Sequence, residues 1–235
     1  MLLLPLEGRL DDLSGRLLLV HFRGKVAPTL TDAARLLRHE TPPIGAALIP
    51  TQPGVADLPA TLQSLRESAP GRELQFIAVG PSPTATERAV LRAAKVEYAL
   101  YDGFSDTELR FVLNCCTYED EKPDRRDGPR APTPLVGKVQ TPMGTKVALV
   151  YNLSAGGAYL ETMRPSQQGV RVTLELPLPS GTVELPGVVI STNVTGNLRR
   201  ENLPRGMGIR FDHPSPDAEA AVLHYVEERL AALRP

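Results

Sequence analysis

The first half of the chain alternates continuous apolar runs with stretches of helical period, whereas the second half repeats short segments in which apolar and polar positions take turns. The runs "RLLLVHF" (16–22), "IGAALIP" (44–50), "LQFIAVG" (74–80) and "EYALY" (97–101) predict strands covered on both faces. Between them, Leu30, Ala33, Ala34 and Leu37 share one face of a helix over 29–40. Leu58, Leu62 and Leu65 do the same over 55–69, and Ala89, Val90 and Ala93 over 84–94. A last helix, 105–116, opens with Ser105 and Glu108 at capping-box spacing and presents Leu109, Val112 and Leu113. Only one good helix separates the strand at 16–22 from that at 44–50, so "MLLLPL" is expected to supply a missing strand. Such alternation implies an α/β domain over 1–117, a doubly wound parallel sheet with helices on both faces.

Beyond residue 134 the strands predicted at 135–141, 145–151, 157–162, 170–176, 182–192 and 206–211 are short and separated by turn residues. That spacing suggests an all-β unit over 135–235, a six-stranded antiparallel barrel with a terminal helix. The helix begins at Ser215 with Pro216 in its first turn and lines Val222, Tyr225, Val226, Leu230 and Leu233 along one side, to cap the barrel or dock a partner. The segment "YEDEKPDRRDGPRAPTP" (118–134) has no apolar period and reads as an exposed linker. The long polar gap before the last strand carries Arg199, Arg200 and Arg205, which read as solvated.

Composition narrows the partners. With 235 residues, 42% of them hydrophobic, the chain can bury two cores. A formal net charge of −1 supplies no field for a nucleic-acid polymer, and the absence of Trp with only 5% aromatics argues against a base-stacking platform. The two cysteines, Cys115 and Cys116, are adjacent and offer neither a disulfide framework nor metal spacing, which points to a reducing cytoplasm. "MLLLPL" is too short to span a membrane and lacks a basic flank, so neither a membrane span nor a signal peptide is expected.

The candidate chemistry lies in two short strings. Arg126 and Arg130 are spaced R-x-x-x-R after Arg125, and Asn152, Ser154 and Gly157 spell N-x-S-x-x-G at the end of an alternating stretch. Guanidinium groups fork onto phosphate oxygens or lie against purine faces. Asn152 can offer an acceptor and a donor to a base edge, Ser154 can bond a phosphate or brace the turn, and Gly157 lets a ligand approach the backbone. R-x-x-x-R also occurs at Arg88 and Arg92 inside a helix, and N-x-S-x-x-G is also a way to write a turn, so neither string is specific alone. Ser154 with Asp212 and His213 or His224 lacks a G-x-S-x-G elbow, and no phosphate loop or metal spacing is present. The expectation is a binding protein, not an enzyme, with no cofactor and no metal.

In this order the two strings resemble the PilZ domain family, bacterial receptors for cyclic di-GMP, from about Asp124 to the C-terminus. "AYLETMRP", "GVRVTLELPLPSGTVELPGVVI" and "GMGIRF" followed by a helix continue the likeness. The resemblance implies that Arg125, Arg126 and Arg130 grip phosphates and guanine faces while Asn152, Ser154 and Gly157 read a guanine edge. It implies a cyclic di-GMP effector in motility or surface behaviour, in which a linker drawn down by the ligand changes interdomain geometry. The alternative is a ligand-independent PilZ-like scaffold in pilus, motility or polarity machinery.

The segment "YALYDGFSDTELRFVL" resembles the end of a response-regulator receiver, a flavodoxin-like fold, with Asp102 and Gly103 where a lysine and a proline would stand. With the predicted strands ending at His21 and Phe22, Pro50 and Thr51, and Gly80 and Pro81, the acidic metal site and the phosphate acceptor are missing. The expectation is a degenerate receiver-like domain used for contact, either a homodimer face or a docking surface for a protein partner.

Overall fold

The structure is a computed structural model that describes residues 1–5, 10, 13–69, 71, 73–117, 128–196, 198 and 202–235. The chain divides into two compact units, 1–119 with 233–235 and 120–232.

The first unit is a five-stranded parallel sheet with helices. In chain order it comprises β1 (Leu2–Leu3), α1 (Leu13–Leu19), β2 (Lys25–Val26), α2 (Leu30–His39), β3 (Ala46–Pro50), α3 (Leu58–Glu67), β4 (Gln75–Gly80), α4 (Ala85–Ala93), β5 (Tyr98–Tyr101) and α5 (Asp106–Thr117). The strand order β2-β1-β3-β4-β5 is the flavodoxin-like doubly wound order. Every residue of β3 is buried, as a central parallel strand requires, and Leu2, Ala47, Ile49, Phe76 and Ala99 form the centre of the core. Polar side chains set the helix starts. Thr84 and Glu87 form a capping box at α4, and at α5 the Ser105 hydroxyl accepts from Glu108 N–H while the Glu108 carboxylate accepts from Ser105 N–H.

One predicted element is of the wrong type. "RLLLVHF" is not a strand: residues 13–19 form α1, with Leu13, Leu17 and Val20 buried while Leu18 and Leu19 are 64% and 67% exposed. A run of four apolar residues fits a buried strand and a helix equally, and only burial at a three-to-four-residue interval separates them. The first strand is the "MLLLPL" segment, as expected, and β2 is a two-residue exposed edge strand with no apolar pattern to announce it. The acidic residues that follow the true first strand are therefore Glu7, Asp11 and Asp12, which lie outside the described residues, and His21 and Phe22 do not end a strand.

The second unit is a closed six-stranded antiparallel barrel. It comprises β6 (Ala131–Pro132), β7 (Val136–Thr141), β8 (Gly144–Ser154), β9 (Gly157–Glu161), β10 (Arg171–Leu178), β11 (Gly181–Asn193), β12 (Gly206–Phe211) and α6 (Pro216–Ala232). The order β8-β7-β10-β11-β12-β9 closes through pairing of β8 with β9, and the short β6 adds to β8 beyond β7. Alternate residues such as Val172, Leu174 and Leu176 on β10 point into the core, where Val222, Tyr225 and Val226 of α6 join them. The Ser215 hydroxyl accepts from Ala218 N–H at the start of α6. The end of the expected exposed linker is part of this unit: Ala131 and Thr133 are buried, and the Thr133 hydroxyl donates to the Val150 carbonyl at 2.8 Å. Leu233, expected on the buried side of α6, lies past the helix, and its carbonyl accepts from Ala99 N–H within the first unit.

No helix among the described residues is long and apolar enough to cross a membrane.

Candidate functional site

Strand β8 carries the second string, and an irregularity in the strand decides where its residues point. Val150 pairs with Leu160, but Asn152 pairs with Tyr159, so Tyr151 is an extra residue, a β-bulge. Val150 and Leu153 both enter the barrel core. Without the bulge, strict alternation would send Asn152 inward with Val150; with it, Asn152 and Ser154 take the outer side of the strand while Leu153 stays inside. Tyr151 itself is 1% exposed and meets Tyr159 edge to face at 5.9 Å between ring centroids.

Ser154 and Gly157 are the last cross-strand pair before the two-residue turn at Ala155 and Gly156. The buried Ser154 hydroxyl donates to the Gly157 carbonyl at 3.0 Å, so it braces the hairpin and still has lone pairs to offer. Gly157 has a requirement of its own: a Cβ there would drive into the backbone carbonyl of Ile209 on β12. Close approach of β9 to β12, rather than a turn conformation, demands glycine at this position.

Asn152 holds an unsatisfied polar atom. It is 8% exposed, and its side-chain oxygen Oδ1 is buried without a hydrogen-bond partner among the described residues. A buried amide oxygen in that state costs about 1 to 3 kcal/mol. It is therefore an acceptor for which a donor outside the folded chain would be favourable.

Of the arginine string, Arg125 and Arg126 lie outside the described residues. Arg130 is half-buried and immediately precedes Ala131, which pairs with Leu153 on β8. Continuing that antiparallel register by one residue brings Arg130 opposite Ser154, on the same outer side. Asn152, Ser154 and Gly157 thus stand together at one end of β8 on the outside of the barrel, and the backbone of Arg130 directly precedes the strand that pairs with this end. Two more arginines share the row by register, Arg210 of β12 opposite Gly157 and Arg171 of β10 beyond Val188 of β11. Neither stands out by spacing. The readable signal for Arg210 is alternation in "GMGIRF", where Met207, Ile209 and Phe211 are buried and Arg210 is exposed.

In the first unit the ends of β3, β4 and β5 run into Thr51, Pro81 and Asp102. The Thr51 side chain is 1% exposed and its hydroxyl donates to the Pro81 carbonyl at 2.9 Å. The hydroxyl at the end of β3 is thus committed to a backbone carbonyl. Among the described residues no group of His, Cys, Asp and Glu is arranged to hold a metal ion.

The second unit is a β-barrel by fold, with a polar shelf on its outer wall. Residues 124–228 match the PilZ domain, and the chain carries a PilZ domain over that span. No curated protein matches the chain. Among solved structures it is similar to the Bacillus subtilis inhibitor of motility MotI/DgrA, with 24% identity over 47% of this chain and 54% of that one and a TM-score of 0.38. The PilZ domain of Escherichia coli YcgR with c-di-GMP is similar at 22% identity, covering 45% of this chain and 92% of that chain, with a TM-score of 0.36. Borreliella burgdorferi PlzA in complex with c-di-GMP is similar at 14% identity over 62% of this chain and 50% of that one, with a TM-score of 0.34. The match thus spans about half the length of the Bacillus subtilis and Borreliella burgdorferi chains.

Proposed function

We propose that this chain is a non-enzymatic effector that binds cyclic di-GMP on the outer wall of its barrel. Asn152 carries the reading: its unpartnered, buried Oδ1 is an acceptor awaiting a donor, and a guanine edge offers N–H groups for it. Arg130 on the adjoining chain segment supplies positive charge for a phosphate, and Arg125 and Arg126 join it from the same string. Ser154 and Gly157 shape the hairpin beneath. The PilZ domain match over 124–228 supports this ligand, because both strings of the family's signature are intact.

A dianionic ligand held between arginines of the 118–134 segment and the barrel wall would restrict that segment and change how the two units are disposed. The receiver-like unit would pass the change to a protein partner, or to a second copy of the chain, in control of motility or surface behaviour. We place this protein in the cytoplasm, in keeping with two adjacent cysteines that form no disulfide.

Titration calorimetry of the full chain tests the reading. Wild-type protein should bind cyclic di-GMP saturably, and Arg130→Ala should weaken binding by about ten- to a hundredfold, the loss of one charge-assisted hydrogen bond. Absence of heat, together with a melting temperature unaltered by excess ligand, would replace the effector with a ligand-independent scaffold in pilus, motility or polarity machinery.

A further inference from the structure

Arg210 lies in the row that holds the shelf, on the far side from Arg130. Strand register places Ser154 opposite Gly157 and Gly157 opposite Arg210, so a single residue without a side chain separates the hydroxyl from the arginine. Along β12 the next outward position toward the N-terminus is Gly208, again without a side chain. Strands lie about 4.8 Å apart, which puts the Arg210 backbone roughly 10 Å from that of Ser154, a gap that an extended arginine side chain largely spans. Glycine at 157 leaves the surface between Ser154 and Arg210 low, and Tyr159, which stands between Asn152 and Gly208 in the next row, borders it.

The charges around Arg210 are few. Among the described residues no hydrogen bond or ion pair engages its guanidinium. Asp212, just past the end of β12, faces Arg171 at 3.9 Å. Val188 on β11 is its other cross-strand neighbour and is uncharged. An exposed, uncommitted guanidinium beside a glycine-floored shelf is placed to close on an anion lying over that floor.

We infer that Arg210 is a further ligand-binding residue of the barrel, gripping a phosphate or stacking on a base of the bound nucleotide from the side opposite Arg130. This rests on the cyclic di-GMP reading and adds a contact to it. The ligand is then clasped across the strands β8, β9 and β12, with arginine at both ends of the row and Asn152 with Ser154 between. Arg171 lies two strands further along, beyond Val188, and contributes only long-range field, which is screened beyond about 8 Å at physiological salt.

Titrating cyclic di-GMP into the wild-type full chain and into Arg130→Ala, Arg210→Gln, Arg210→Lys and Arg171→Gln, at 0.15 M salt, tests this. Arg210→Gln should weaken binding about ten- to a hundredfold, with no change in melting temperature without ligand. Arg210→Lys keeps the charge but loses the planar fork, and should recover part of the loss. Arg171→Gln should stay within about twofold of wild type. Wild-type-like affinity in Arg210→Gln, while Arg130→Ala loses binding, would overturn the Arg210 contact and leave the cyclic di-GMP reading standing. Equal losses in Arg210→Gln and Arg171→Gln would also overturn it, because they would report a general field. No binding by wild type would overturn both. If Arg210→Gln melted early, the comparison of Arg210→Lys with wild type would decide, a tenfold loss supporting the fork and equal affinity refuting it.

Discussion

The hydroxyl of Ser154 donates to the carbonyl of Gly157 at 3.0 Å, and the same two residues are cross-strand partners on either side of a two-residue turn. Two members of the N-x-S-x-x-G string are thus bonded to each other before a ligand arrives. Their first role is to hold the hairpin that presents the third, Asn152. Replacing Ser154 by Ala should cost about 1 kcal/mol of stability, read as a shift in urea midpoint. Its effect on ligand binding should exceed that stability loss only if the hydroxyl also meets the ligand.

Gly157→Ala should be more damaging to the fold than Ser154→Ala. The added methyl group would collide with the Ile209 carbonyl, a backbone atom that cannot turn aside. We expect a loss of about 1 to 3 kcal/mol in chemical denaturation, comparable to overpacking a core. An apparent loss of nucleotide binding in this variant would reflect a displaced β12, and a stability equal to wild type would contradict the packing role.

Asn152→Ala separates stability from function in the opposite sense. The wild-type residue keeps a buried oxygen without a partner, so its removal should leave stability unchanged or raise it while weakening cyclic di-GMP binding about ten- to a hundredfold. Calorimetric melting and titration of the same variant provide both readings. A destabilised variant with wild-type affinity would mean that Asn152 serves the fold alone.

Arg66→Lys should destabilise the first unit although charge is kept. The Arg66 guanidinium donates to the carbonyls of Ala94 at 3.2 Å and Lys95 at 2.7 Å, and lies 4.8 Å from the centroid of the Phe76 ring. A lysine cannot make two carbonyl contacts and a flat stack together, and about 1 to 2 kcal/mol should be lost in urea unfolding.

Glu97 gives the first unit a pH dependence. Burial raises its carboxyl above the ordinary value, against the opposing effects of the Phe76 N–H that it accepts and of Arg66 nearby. Because the folded value is the higher one, this contribution to stability is complete below the unfolded value of about 4.3 and is lost as pH rises through the folded value. Urea midpoints taken upward from pH 4 should fall less in Glu97→Gln than in wild type. An identical pH profile in the two proteins would remove Glu97 as the source.

Much of this architecture was legible because it is written in periods. Strand β3, helix α2 and the inward residues of β10 are readable from apolar spacing, and Ser105 with Glu108 announces the start of α5 by side-chain chemistry. Where a segment lacked a discriminating period the reading failed. The apolar run before Phe22 fits both a strand and a helix, and it became α1 because Leu13 and Leu17 found a core while Leu18 and Leu19 did not. Arg210 is not legible in the sequence for a related reason: a single arginine in a strand carries no spacing, and its relation to Ser154 exists only across three strands.

By itself the sequence determined two units, a wound sheet and a barrel, and named Arg130, Asn152, Ser154 and Gly157, because local periodicity and side-chain type need no partner to be read. Which side of the barrel wall Asn152 occupies was decided only by tertiary structure. Pairing of β8 with β9 inserts Tyr151 as a bulge, and that one extra residue turns the amide outward while Val150 and Leu153 both remain in the core. A strand alone specifies alternation; only its neighbour specifies the register from which the alternation is counted.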